Sequence, residues 1–153
     1  MSIKIVGIIG SGLMGTGIAQ ACATAGLDVI VRDIDPAALK RCVAQVSSSL
    51  TRLVDKQKLT ESAKAAALAA IRTTADIKDL SGADFIIEAA TENLALKQKI
   101  LQEVEAIATP SCIIATNTSS VSITKLAAAC GCEPASPPVF LALSNFSRGS
   151  YGI

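Results

Sequence analysis

Gly10-Ser11-Gly12-Leu13-Met14-Gly15 sets three glycines at the spacing Gly-x-Gly-x-x-Gly. Such a loop can cradle a pyrophosphate. Gly10 permits a tight turn, Gly12 lets the backbone approach the phosphates, and Gly15 lets a helix pack closely on a strand. The pattern is weak by itself because glycine is common. Here it follows a strand-like run, Ile3 to Ile9, and opens a helix-like run, Leu13 to Ala25, which is the context the chemistry needs. A helix start offers unpaired N–H groups and a positive dipole end to phosphate. Without a ligand the same residues would form a tight strand-to-helix turn.

Asp33 follows Gly15 by 18 residues and closes the second strand-like run, Val29-Ile30-Val31. A carboxylate there can accept both ribose hydroxyls of adenosine and repel the extra phosphate of NADP. The neighbouring Arg32 works against that selectivity, since arginine can pair with a phosphate. The plainer reading of Asp33 is a loop acid ahead of Asp35-Pro36.

The elements that must position these residues alternate. Asp35 caps a long helix whose first turn holds Pro36. Leu39, Val43, Val46, Leu50 and Leu53 recur along it at helical spacing and predict its buried face. Thr60 to Ile71 reads as a further, alanine-rich helix, so two helices follow the second strand where one would suffice. Arg72 to Ala75 is a weak strand and Asp84 to Ala89 a strong buried one. Glu92 to Ala108 is a helix whose Leu96, Ile100, Val104 and Ile107 share a face. Cys112 to Ala115 is another strand, followed by the polar turn Asn117-Thr118-Ser119-Ser120 and a helix from Ser122 to Ala129. This predicts an α/β, Rossmann-type doubly wound parallel sheet with a helical insertion after the second strand.

Residues 1–130 make one dinucleotide-binding domain, and residues 131–153 form an atypical tail. The tail holds three of the chain's five prolines and three of its four aromatics, with Glu133 and Arg148 as its only charges. Val139 to Leu143 is its one strand-like stretch. The shift in composition, and the loss of regular patterning, predict a frame-shifted ending rather than an evolved one.

The bulk properties exclude several classes. A net charge of +1 with interspersed acids and bases gives no nucleic-acid or membrane-surface footprint. No apolar run is long enough to span a bilayer, and Met1-Ser2-Ile3-Lys4 has no signal-peptide pattern, so the expected location is the cytoplasm. The five cysteines are odd in number and scattered, unlike a disulfide frame. Cys22, Cys42 and Cys112 read as small buried apolar groups. Cys130-Gly131-Cys132 lacks histidine or a second cysteine pair to complete a metal site, so no metal is expected.

The stretch Val6-Gly-Ile-Ile-Gly-Ser-Gly-Leu-Met-Gly-Thr-Gly-Ile-Ala-Gln20 resembles the opening of the 3-hydroxyacyl-CoA dehydrogenases, and of their bacterial 3-hydroxybutyryl-CoA branch in particular. Glu88-Ala-Ala-Thr-Glu-Asn93 with Lys97, and Asn117-Thr-Ser-Ser120 leading to Ile123-Thr-Lys-Leu126, agree in type and order. The similarity runs from residue 1 to about residue 130. It implies NAD-dependent interconversion of 3-hydroxyacyl-CoA and 3-oxoacyl-CoA, with 3-hydroxybutyryl-CoA or a similar acyl-CoA as substrate. On that resemblance Gly10, Gly12, Leu13, Met14, Gly15 and Asp33 hold the adenosine half of NAD. Glu92, Lys97 and Asn117 contact the cofactor further along, Ser119 bonds the substrate oxygen, and Ser49 and Lys56 contact CoA. From the residues alone, Glu92 reads equally as a first-turn helix acid, Lys97 as a solvated charge, and Asn117 to Ser119 as capping chemistry.

The same resemblance implies a histidine base paired with a glutamate, in a His-Phe-Phe-Asn-Pro motif, and a C-terminal helical domain that carries dimer contacts. The chain has no histidine, and the helical domain is not in the sequence. Ser119 is a poor substitute, because a serine hydroxyl itself needs activation. The expected product is a truncated, inactive form of the enzyme. The alternatives are a stand-alone NAD-binding module without catalysis, or a 3-hydroxyacid dehydrogenase relative with another substrate.

Overall fold

The computed structural model describes residues 2–117 and the strand Val139–Ala142. Six parallel strands form one sheet: β1 (Ile5–Ile9), β2 (Asp28–Arg32), β3 (Ile71–Thr74), β4 (Phe85–Glu88), β5 (Ile113–Thr116) and β6 (Val139–Ala142). Their spatial order is β3-β2-β1-β4-β5-β6. The order reverses between β1 and β4, which is where ligands bind in sheets of this kind. β6 pairs with β5 from Ile113 opposite Val139 to Thr116 opposite Ala142, so the sheet reaches into residues assigned above to the tail. The helix expected over 122–129 lies outside the described residues.

Strand side chains alternate between two cores, as a period of two requires. Val6, Ile8, Val29, Val31, Ile87 and Ala115 face helices α1 (Leu13–Thr24), α2 (Pro36–Asp55) and α3 (Glu61–Ala69). Ile9, Ile30, Ile86 and Ile114 face a 3-10 turn (Ile77–Leu80) and α4 (Leu94–Ile107). The central strand β1 (Ile-Val-Gly-Ile-Ile) is apolar throughout because both its faces are covered, whereas edge strand β3 (Ile-Arg-Thr-Thr) is mostly polar.

The helix starts follow local chemistry. The Asp35 side chain accepts the Ala37 N–H at 3.0 Å with Pro36 in the first turn. Thr60 caps α3 through the Ala63 N–H at 3.1 Å. Asn93 caps α4 through the Leu96 N–H at 3.1 Å.

Several expectations are corrected. The alanine-rich helix ends at Ala69, because Ile71 is already paired in β3 opposite Val29. The buried stripe of α2 is Leu39, Cys42, Val46 and Leu50, and Val43 is 37% exposed. The buried stripe of α4 is Lys97, Ile100, Leu101 and Val104, with Leu96 turned outward. Cys42 and Cys112 are buried, and Cys22 only partly so. Among the described residues no helix is long and apolar enough to cross a membrane.

Two glycines fix how α1 meets the sheet. A Cβ on Gly15 would lie 1.8 Å from the Gly10 carbonyl oxygen, whereas one on Gly12 would meet nothing within 4 Å. Helix propensity alone favours alanine over glycine by about 1 kcal/mol, but the backbone clash at Gly15 overrides it. Gly15→Ala is expected to lower unfolding stability by about 1–3 kcal/mol, as overpacking does. Gly12→Ala should stay within about 0.5 kcal/mol of the parent. Urea denaturation of the two variants checks this, and equal losses would refute the assignment.

Candidate functional site

A cleft of about 640 Å³ opens at the carboxyl ends of the strands, within the range of small-molecule sites. Gly10, Gly12 and Leu13 form one wall, Arg32, Asp33 and Ile34 the next, and Ala89 and Ala90 face them from beyond β4. Ala38, Arg41 and Gln45 of α2, and Leu96, Lys99, Ile100 and Glu103 of α4, complete it.

The glycine loop is held from three sides. Gly10 has φ +101°, and a Cβ there would lie 2.6 Å from the Ala90 Cα, so both conformation and crowding require glycine. Its N–H donates to the Arg32 carbonyl at 2.9 Å. Ser11 donates to Asp33 Oδ2 twice, from its N–H at 2.9 Å and from its hydroxyl at 2.6 Å. The Thr16 hydroxyl donates to the Ser11 carbonyl at 3.1 Å. No side chain caps the start of α1, which leaves first-turn N–H groups directed at the cleft.

Asp33 is therefore already oriented. Its Oδ1 accepts the Asp35 N–H at 3.0 Å. Burial pushes its carboxyl up, but the bonds from the Ser11 side chain, Asp35 N–H and Ser11 N–H, with the Arg32 charge, outweigh it and hold the pKa below the usual range. The two arginines are engaged elsewhere. Arg32 Nε donates to the Ala75 carbonyl at 3.3 Å, and Arg41 pairs with Asp35 at 3.5 Å in an exposed contact.

The other expected residues divide. Met14 is exposed but is not on the cleft wall, and Gly15 lies beneath Gly10. Glu92 is exposed and precedes the Asn93 cap, so it stands outside the helix rather than in its first turn. Lys97 is not a solvated charge. It is 1% exposed and pairs with Glu88 at the end of β4. Asn117 is half-buried, with its N–H on the Glu88 carbonyl at 2.9 Å. Ser119 lies outside the described residues, as do Cys130 and Cys132. Ser49 and Lys56 are not in the cleft. They continue the α2 stripe of Ala38, Arg41 and Gln45 at spacings of four and seven residues, which keeps them on its side of the helix. Among the described residues no three metal-ligating side chains converge.

Sequence reasoning missed Glu88, Ile34 and Leu96. The signal for Ile34 was an apolar residue set between Asp33 and Asp35. Ile34 is 77% exposed and lines the cleft. Together with Leu96 it offers apolar surface for a flat ring.

The sequence pattern of the family "3-hydroxyacyl-CoA dehydrogenase, NAD binding domain" matches residues 5–137. A 3-hydroxybutyryl-CoA dehydrogenase of Bradyrhizobium diazoefficiens is 45% identical over 127 residues, which is 83% of this chain and 43% of that protein. The crystal structure of (S)-3-hydroxybutyryl-CoA dehydrogenase PaaH1 from Ralstonia eutropha is 56% identical with TM-score 0.81, covering 84% of this chain and 45% of that one. That of 3-hydroxybutyryl-CoA dehydrogenase from Escherichia coli K12 is 37% identical with TM-score 0.82, covering 84% and 27%. The chain thus spans less than half the length of these relatives.

Because Asp33 has a depressed pKa, its contribution to stability is present above the ordinary carboxylate pKa, about 3.9, and is lost as pH falls through the lower folded value. The stability difference between the parent and Asp33→Asn should be constant from pH 8 to 5 and shrink only below about pH 4. Urea midpoints across this range measure it. A difference that shrinks between pH 7 and 5 would overturn the reading.

Proposed function

The chain belongs to the 3-hydroxyacyl-CoA dehydrogenase family through that family's NAD-binding domain, and from this we propose that it is the cofactor-holding part of an enzyme that oxidises 3-hydroxyacyl-CoA to 3-oxoacyl-CoA. The substrate type is 3-hydroxybutyryl-CoA or a near relative, as in the names of the similar proteins. The observation that carries the proposal is the convergence of the glycine loop and Asp33 on one cleft at the switch point of the sheet.

The residues fit NAD. The space beyond Gly12 is open, and the uncapped start of α1 supplies N–H donors for the pyrophosphate. The Asp33 carboxylate accepts three hydrogen bonds within the chain. A carboxylate has about four acceptor positions, so one remains for a ribose hydroxyl, and rotation of the Ser11 hydroxyl frees another. Ile34 and Leu96 flank the place an adenine would take. When bound, NAD supplies the acceptor for the hydride from the carbinol carbon. Glu92 and Asn117 follow β4 and β5 in the chain, on the side where the second mononucleotide binds in this topology, and would contact that half of NAD. Ser119 would orient the substrate oxygen by hydrogen bonding, and Ser49 and Lys56 would contact CoA.

The chain itself supplies no histidine to take the hydroxyl proton. That fact favours one second reading, a chain that binds NAD without turnover. General base catalysis is worth roughly 10²–10⁴-fold, so this 153-residue chain, assayed alone, should show negligible oxidation of 3-hydroxybutyryl-CoA. Turnover at roughly 1–10³ per second would refute that expectation. Titration with NADH and acetoacetyl-CoA separates the two readings. Binding of both supports the enzyme part, and NADH alone the binding module.

NADH is expected to bind more tightly than NADPH, and Asp33→Ala to narrow the gap. Fluorescence titration measures both, and equal affinity of the parent for the two cofactors would sink the assignment.

A further inference from the structure

The start of α1 is held by two buried hydroxyl residues. Ser11 and Thr16 are each 6% exposed, whereas Gly12, Leu13 and Met14 between them are exposed. α1 begins at Leu13 with Gly12 as its cap residue, so Ser11 stands one place before the cap and Thr16 fourth in the helix. At these two places many helices carry a pair of apolar side chains whose contact fixes the angle at which the chain enters. This chain makes the tie with a hydrogen bond. The Thr16 hydroxyl donates to the Ser11 carbonyl at 3.1 Å.

That bond departs from the habit of helical threonines. A Thr hydroxyl inside a helix ordinarily donates to the carbonyl four residues back, as Thr24 does to Gln20 at 2.7 Å and Thr51 to Ser47 at 2.8 Å. Thr16 reaches five residues back, out of the helix, and leaves the Gly12 carbonyl to its own N–H at 2.9 Å. The consequence is a fixed peptide plane. A trans peptide holds its C=O and N–H in one plane, pointing opposite ways. With the Ser11 carbonyl drawn toward buried Thr16, the Gly12 N–H points away from it, on the side where Gly12 lines the cleft. That N–H has no acceptor among the described residues, and a Cβ on Gly12 would meet nothing within 4 Å. Ser11 is anchored at its other end too, since its N–H and its hydroxyl both go to Asp33.

Helix entry alone does not call for a hydroxyl here. An apolar pair at the same two places fixes the entry angle by contact, without aiming any polar group. What the hydroxyl adds is a set direction for one N–H. We infer that Thr16 is a positioning residue for the pyrophosphate of NAD, its hydroxyl holding the Ser11–Gly12 peptide so that the Gly12 N–H faces the phosphates. Thr16 is not on the cleft wall, so it acts through Gly12 and not by contact. The inference rests on the NAD reading above and deepens it, by naming the group that aims one of the phosphate donors before the cofactor arrives.

The test compares ADP with adenosine, probes that differ by the pyrophosphate. Thr16→Val keeps the shape of the side chain and loses the donor, and Thr16→Ser keeps the donor. Isothermal titration of Thr16→Val should find adenosine affinity within about twofold of the parent and ADP affinity lower by roughly tenfold, the scale of a hydrogen bond to a charged group. Thr16→Ser should bring ADP back to within about threefold of the parent. A hydroxyl that served the fold alone would weaken both probes alike, leaving their ratio unmoved. If thermal melting shows that Thr16→Val does not fold, Thr16→Ala, which removes the same donor with less bulk, is read in the same way. A folded variant without the hydroxyl but with the parent's ADP-to-adenosine ratio overturns the inference, as does a Thr16→Ser loss equal to that of Thr16→Val. In either case a parent that binds ADP and NADH leaves the NAD reading standing. A parent that binds neither overturns that reading, and this inference falls with it.

Discussion

At the carboxyl edge of the sheet the backbone of Gly10 is trapped between two others. On one side stands Gly15, whose missing Cβ is all that separates the first turn of α1 from the Gly10 carbonyl, and on the other the Ala89–Ala90 turn. That three-way contact brings the end of β1, the start of α1 and the end of β4 to one point. It is also the point where strand order reverses. The position of the cleft, the aim of α1 at its floor and the reach of Asp33 across it all depend on backbones meeting at distances that no side chain allows. On the proposed NAD reading, binding energy here would come from positioned N–H groups, which gain strength from being fixed before a ligand arrives.

The two halves of the cleft are held by different physics. On the β1–β2 side the ties are short hydrogen bonds near the surface, with Ser11 on Asp33 and Asp33 on Asp35. Such a network orients a carboxylate and keeps it ionised while leaving it accessible. On the β4–β5 side the ties run through a dry ion pair beneath the wall. A low local dielectric makes those bonds directional and costly to break singly. The first half holds a partly exposed charge, and the second a buried, paired one.

The legible parts of the sequence were those where the cause is local. Glycine spacing after an apolar run, an acid at the end of the next strand, and Asp35-Pro36 at a helix start each act through neighbours in the chain, and each appears as expected. The failures lie where burial is decided by partners distant in sequence. Helical spacing admitted either Val43 or Cys42 to the core face of α2, and packing against the sheet selected Cys42. On α4 the rule that charges face water turned Lys97 outward and Leu96 inward. The structure reverses both, because Glu88, nine residues away in sequence, supplies a buried counter-charge. Glu88 stood within the expected buried strand and at the head of the Glu88-to-Asn93 segment, but nothing in the sequence showed that its counter-charge would be Lys97. β6 was faint because its run, Val139 to Leu143, stands alone in a proline-rich stretch without regular patterning around it.

The insertion after β2 also acquires a geometric meaning. α2 runs for 20 residues without a break, about 30 Å at 1.5 Å per residue. Its first turns carry Ala38, Arg41 and Gln45 on the cleft wall. Continuing the same stripe places Ser49 and Lys56 about 16 Å and 27 Å from Ala38 along the axis. Leu39, Cys42, Val46 and Leu50 pack the adjoining side of the helix, roughly 100° around it, into the core, which fixes how the stripe is turned. If Ser49 and Lys56 contact CoA as we propose, one rigid helix sets the separation between the adenosine end of NAD and the carrier of the substrate. Substrate placement would then depend on the same core that places the cofactor. A cavity made at Leu50 would shift both ligands together, although it touches neither.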